Sequence, residues 1–189
     1  VNLSTRPLIP VDETRYAAVA WEMWAKGDFL VPYLNGDSYS HKPPLLFWLM
    51  QLSWLVLGVN DWSLRLIGPL FSLASLFLSR GIARTLWPDR KQIEALAPVI
   101  LLGCLFWIVF STLTMFDMML AFFALLGIYS LLKLAYSDLS FKYLLLLGLA
   151  IGAGVLTKGP VILLHLLPVA LLAPWWLQIA GFCWRHWYY

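Results

Sequence analysis

A chain of 189 residues that is 61% hydrophobic and only 12% charged, with a mean hydropathy of +0.78, has a membrane protein's composition and excludes a soluble globular domain. A formal charge of +3 is too small and too dispersed to suit a nucleic-acid partner. The 11 tryptophans fit an interfacial aromatic belt, and the two cysteines, Cys104 and Cys183, read as unpaired.

The sequence opens at Val1 in polar, loop-like residues, which predicts a fragment or processed form lacking an N-terminal span and a C-terminal portion. Residues 1–62 are too charged to span and form a first region. A helix is expected from Asp12 to Lys26, stopped by Gly27. Tyr16, Ala20, Met23 and Trp24 fall on one face, and Arg15, Glu22 and Lys26 on another. That pattern predicts a helix lying in the membrane interface. Asn35-Gly36-Asp37 is a turn. Then comes Tyr39-Ser40-His41-Lys42-Pro43-Pro44, whose prolines hold Lys42 extended and start a helix running to Leu57 and stopped by Gly58. This helix is short for a span and is expected to be a second interfacial one. Lys42 thereby sits at a helix N-terminus, a place that attracts phosphate. The alternative is a lysine that simply reaches water.

From Trp62 onward the chain reads as spans of about 20 residues each. The first covers 63–86, with Arg65 near its start and Trp87-Pro88 at its end. The apolar stretch from Ala95 to Tyr136 holds one acidic residue, Asp117, and is long enough for a hairpin of two spans, 95–113 and 117–136. A fourth covers 142–157, Lys158-Gly159-Pro160 turns, and a fifth covers 160–177. The fold class expected is an all-α polytopic membrane bundle of about five transmembrane helices, preceded by a loop with two amphipathic interfacial helices. Arg80, Arg84, Arg90 and Lys91 cluster at and after the end of the first span, and Lys133 and Lys142 at the link between the third and fourth. The positive-inside rule puts those links in the cytoplasm. Counting spans then places Asp12, Lys42, Asp117 and Lys158 together on the extracytoplasmic side.

Each landmark has two readings. Asp12 is a catalytic carboxylate or a helix N-cap. Asp117, the only acidic residue between Glu94 and Asp138, is functional by its membrane position or caps its span. Lys158 lines a site or snorkels from a helix end. His41 is a divalent-metal ligand or a histidine with no such role, since no second ligand stands at a metal-site spacing. As a set, two lysines and Arg15 can hold a phosphate leaving group while a carboxylate takes the acceptor's proton. The helices of the first region give a long acyl or polyprenyl chain access from the membrane lipids.

The run Asp12-Glu13-Thr14-Arg15-Tyr16, then Gly27-Asp28, Pro32-Tyr33-Leu34-Asn35-Gly36 and Tyr39-Ser40-His41-Lys42-Pro43-Pro44-Leu45, resembles the first extracytoplasmic loop of the GT-C membrane glycosyltransferases. The likeness is to bacterial aminoarabinose transferases of lipid A and to protein O-mannosyltransferases. It continues through Arg65-Leu66, Phe116-Asp117-Met118 and Thr157-Lys158-Gly159-Pro160. The resemblance implies transfer of a sugar from a polyprenyl-phosphate carrier to a lipid or protein acceptor at the outer face of the bacterial inner membrane. Asp12 would be the catalytic or acceptor-orienting carboxylate, with Asp117 the second candidate. Lys42, with Arg15, Tyr39 and Lys158, would bind the donor phosphate, and Glu13 and Tyr16 would line the cavity. Such transferases carry a glutamate of a metal site immediately before the lysine. His41 stands there instead, which leaves the metal and the aminoarabinose assignment open. The rival class is a polytopic transporter or scaffold, which charged or unwound backbone at mid-membrane depth would favour.

Overall fold

The computed structural model describes residues 7–136 and 140–176. Cys183 and the end of the expected fifth span at residue 177 lie outside them. Helix α1 (Asp12–Lys26) ends at Gly27, whose φ of 67° is the left-handed conformation that a residue without Cβ enters without strain. A two-residue hairpin follows, β1 (Tyr33–Leu34) pairing antiparallel with β2 (Asp37–Ser38) in the register Leu34 opposite Asp37. Its loop residues Asn35 and Gly36 both have positive φ, 56° and 88°, the pattern that matches the twist of paired strands. Glu22 of α1 accepts from both loop amides, which ties the hairpin to the helix.

Helix α2 (Leu45–Leu57) starts after Pro44. The apolar face of α1 is turned into the protein: Tyr16, Val19, Ala20 and Met23 are buried, as are Leu46, Phe47, Met50 and Trp54 of α2, all in one core cluster. The apolar face of α1 is thus packed against α2 inside the protein. Burying a side chain such as Met23 or Phe47 stabilises by about 1.5–3 kcal/mol, so the two helices are held as part of the core.

Helices α3 (Asp61–Leu64) and α4 (Ile67–Leu86) form one 26-residue apolar unit with a turn at Arg65 and Leu66. Arg65 is buried at that turn. Helix α7 (Phe116–Tyr136) is the most enclosed, packing on α4, on α8 (Phe141–Lys158) and on α9 (Val161–Leu171). Glycines allow the close approaches, as at Gly154, where a Cβ would lie 2.5 Å from Ile162 Cγ1. Among the described residues three helices are long and apolar enough to cross a membrane.

Two expected spans differ. The stretch 95–113 is not one helix but α5 (Lys91–Gly103) and α6 (Leu105–Ser111), bent by 69° with Cys104 extended between them. Counted as one broken span, the pair makes a fourth crossing. The expected fifth span is the 11-residue α9, with Pro168 inside it, followed by a short α10 (Ala173–Trp176). At about 1.5 Å per residue α9 covers about half of a hydrocarbon core of about 30 Å.

Gly68 of α4 lies against the turn between α6 and α7, where a Cβ would fall 2.7 Å from the Leu113 carbonyl oxygen. Gly68→Ala is expected to cost about 1–3 kcal/mol, the usual penalty of overpacking. Thermal unfolding of the purified protein checks this, with Gly103→Ala as the control, because nothing lies within 4 Å of a Cβ there.

Candidate active site

The span count placed four polar landmarks on one side, and the structure brings all four to one cavity of about 510 Å³. Asp12, Arg15 and Tyr16 reach it from α1, and Tyr39, His41 and Lys42 from the loop before α2. Phe110 of α6, Met115, Phe116 and Asp117 at the start of α7, and Lys158 at the end of α8 complete the wall.

An aromatic cluster forms its floor. The Tyr16 ring stands edge-on to Phe116 at 4.9 Å, Phe47 meets Phe116 at 5.8 Å, and Tyr39 meets Phe47 at 6.2 Å. These contacts join α1, the loop, α2 and α7. Burial pushes the Tyr16 phenol up to about 12, and the Asp12 carboxylate adds to the shift. Tyr16 therefore stays protonated and can only be a neutral donor or acceptor at neutral pH.

The charges are arranged unequally. Lys158 Nζ donates to Asp117 Oδ1 at 2.8 Å, and Arg15 lies 3.7 Å from Asp12. Lys42 has no carboxylate partner among the described residues; its ammonium lies 5.9 Å from the Phe116 ring centre. Tyr39 lines the same cavity, and its hydroxyl is buried with no hydrogen-bond partner. The cavity thus presents one uncompensated cation and one unused hydroxyl.

Several expectations are corrected. Asp12 is not an N-cap: Val11 holds that position without a side-chain cap, and Asp12 is the first helical residue. Glu13 does not line the cavity. It is 2% exposed, accepting from Thr114 N at 2.7 Å and from Ile9 N at 2.8 Å, and so braces α1 to the turn that precedes Asp117. His41 packs on the Tyr39 ring at 5.2 Å. Among the described residues no group of three His, Cys, Asp or Glu side chains could hold a metal. These residues do not fit a metal centre, and no step is assigned to one. The Asp117–Lys158 pair was visible in principle as two isolated opposite charges bordering apolar segments, which tend to meet. Phe110 carried no signal in an unbroken apolar run.

The Glu13 brace makes a direct prediction. Glu13→Ala leaves the buried Thr114 amide unsatisfied, which costs about 1–3 kcal/mol, and should lower the thermal midpoint of the detergent-solubilised protein. Glu13→Gln keeps an acceptor oxygen and should recover about half of the loss.

The chain is 34% identical over 177 residues to the undecaprenyl phosphate-alpha-4-amino-4-deoxy-L-arabinose arabinosyl transferase of Enterobacter sp. (strain 638), covering 92% of this chain and 31% of that protein. A protein of the same description from Pectobacterium carotovorum is 34% identical over 178 residues, covering 89% and 32%. The crystal structure of ArnT from Cupriavidus metallidurans, solved in the apo state and bound to undecaprenyl phosphate, aligns with a TM-score of 0.84 at 28% identity, covering 99% of this chain and 34% of that one. The fold is therefore that of a polytopic GT-C membrane protein, and the chain spans about a third of the length of these relatives. The unwound residue Cys104 met one expectation for a transporter, but residues 95–113 carry no charge and the relatives are transferases. The model of the family described as dolichyl-phosphate-mannose-protein mannosyltransferase matches residues 2–187, and the chain belongs to that family.

Proposed function

We propose that the cavity transfers a sugar, a pentose or a hexose, from a polyprenyl-phosphate carrier to a lipid or protein hydroxyl at the outer face of the bacterial inner membrane. The observation that carries this reading is Lys42, a cavity cation without a carboxylate partner among the described residues, in the same cavity wall as Tyr39, whose hydroxyl has no hydrogen-bond partner. Both suit an incoming phosphate: the ammonium supplies charge and the phenol a hydrogen bond. The relatives' names and the undecaprenyl phosphate bound by the Cupriavidus ArnT support the same donor class.

In this mechanism an acceptor oxygen attacks the anomeric carbon while the bond from that carbon to the phosphate oxygen breaks. The electron pair leaves with the polyprenyl phosphate, whose charge Lys42 meets. The acceptor's proton passes to the Asp12 carboxylate, which faces the nucleophile because a carboxylate against the leaving phosphate would raise the barrier. Lys158 holds Asp117, and Arg15 and Lys158 both reinforce the positive field on the phosphate side. Transfer of labelled sugar from an undecaprenyl-phosphate donor, read by mass spectrometry of lipids and surface glycans from cells with and without the protein, tests the reading. Unchanged lipids and glycans would reject it.

The side of the membrane is tested separately. Single cysteines at Asn35 and Gln92, in a cysteine-free background, should differ in labelling by an impermeant thiol reagent on intact cells. Position 35 is expected to label. Labelling of 92 but not 35 would invert the topology.

A further inference from the structure

Helices α7 and α8 carry the Asp117–Lys158 pair at one end and Lys133 and Lys142 at the other. At about 1.5 Å per residue the two ends lie about 24 Å apart, most of a hydrocarbon core of about 30 Å. At the end away from the active-site cavity, Tyr129 of α7 meets Tyr143 of α8 edge-on, with ring centres 6.3 Å apart. Gly81 of α4 makes room for the pair, because a Cβ there would lie 3.2 Å from Tyr129 Cε2.

Three cations gather on these rings, one from each helix. Lys133 Nζ lies 5.6 Å from the Tyr129 ring centre and Lys142 Nζ 5.8 Å from that of Tyr143, both within cation–π range. Arg84 follows Gly81 by three residues on the same face of α4, and its charge acts on the Tyr129 hydroxyl. Among the described residues no carboxylate lies within ion-pair distance of any of the three; Asp138, in the link between α7 and α8, falls outside them. The other cations at this end are compensated. Arg80 pairs with Glu94 at 2.9 Å, and Arg90 and Lys91 share a cavity wall with Asp89. Helix stability does not account for the cluster. The last turns of α4 and α7 favour a cation, but Lys142 stands in the first turn of α8, where the dipole opposes it and no acidic residue offsets it. Three like charges on one aromatic pair repel one another unless an anion joins them.

Depth identifies the anion. The cluster sits beside the exposed Phe141, Leu144 and Leu145 of α8, where the bundle leaves the hydrocarbon and meets lipid headgroups. A phosphodiester there brings a negative charge and free oxygens that accept from lysine, arginine and tyrosine. A zwitterionic headgroup adds an amine that cancels the charge. We propose that Arg84, Lys133 and Lys142, over the Tyr129–Tyr143 pair, bind the headgroup of an acidic phospholipid in the leaflet opposite the active-site cavity.

The test uses the wild-type protein in nanodiscs with a trace of phosphatidylglycerol bearing a diazirine beside its headgroup, and maps cross-links by peptide mass spectrometry. Labelling is expected within residues 129–133 and 142–145. Unlabelled phosphatidylglycerol should compete about tenfold or more better than phosphatidylethanolamine, at roughly fivefold per cation engaged. Arg84→Gln, Lys133→Gln and Lys142→Gln together should abolish that preference, whereas Arg84→Lys, Lys133→Arg and Lys142→Arg together keep the charge and should retain it. Equal competition by the two lipids in the wild type, labelling confined to other segments, or an unchanged preference in the neutralised variant would overturn the proposal. Excess inorganic phosphate that clears the label as well as phosphatidylglycerol does would assign the cations to a soluble phosphate and overturn it too. The wild-type competition stands by itself should the neutralised variant fail to insert.

Discussion

Asp12→Asn is expected to lower the transfer rate by about 10²–10⁴-fold while leaving the fold and donor binding intact, the usual contribution of a positioned general base. Asparagine keeps the shape and much of the hydrogen bonding but cannot take a proton. The competing explanation for an aspartate here, helix capping, predicts no change, because asparagine caps as well as aspartate. Val11 occupies the cap position and Asp12 makes no capping hydrogen bond, so capping has little to act on. Of the two acidic groups in the cavity, Asp117 is already joined to Lys158 at 2.8 Å, whereas Asp12 is 48% exposed and only loosely paired with Arg15. Asp12 is the freer of the two to meet an acceptor. Single-turnover transfer with bound donor measures the step directly. A folded, donor-binding Asp12→Asn protein that transfers sugar normally would move the base to Asp117.

Lys42→Ala is expected to weaken donor binding by roughly 10- to 100-fold, as befits loss of a charge-assisted hydrogen bond. No carboxylate partner is stranded by the change, so the loss reports the phosphate contact and not a broken ion pair. Lys42→Arg keeps the charge and should recover most of the affinity. If the contact is equal in ground and transition states, the effect falls on KM and spares kcat. Titration with undecaprenyl phosphate separates the outcomes, and wild-type affinity in Lys42→Ala would remove Lys42 from the donor site.

The gathering of Asp12, Lys42, Asp117 and Lys158 was legible in the sequence because it depends on span lengths and on where lysines and arginines fall. The Asn35-Gly36 turn was legible because few residues adopt positive φ. What escaped depends on distant contacts or on local interruptions of apolar runs. Glu13 read as a cavity residue on the resemblance of its run to a known first loop, while the amide that claims its carboxylate is 101 residues away. Composition hid the break at Cys104, since hydropathy is blind to backbone direction. Pro98 and Gly103 were the available signals there, as Pro168 was for the short α9.

The Thr114–Glu13 hydrogen bond has a consequence for how the protein is made. A ribosome adding about 5–20 residues per second takes about 5–20 s to travel from one partner to the other. For that interval the first-made part of the cavity, which carries Asp12 and Lys42, lacks its brace to the turn before α7. The turn that supplies the Thr114 amide comes only after α4 and the bent pair α5–α6 have been threaded. Assembly of the charged chamber is therefore a late, long-loop event, and a nascent chain arrested before residue 114 has every loop residue of the cavity but only Phe110 of its far wall.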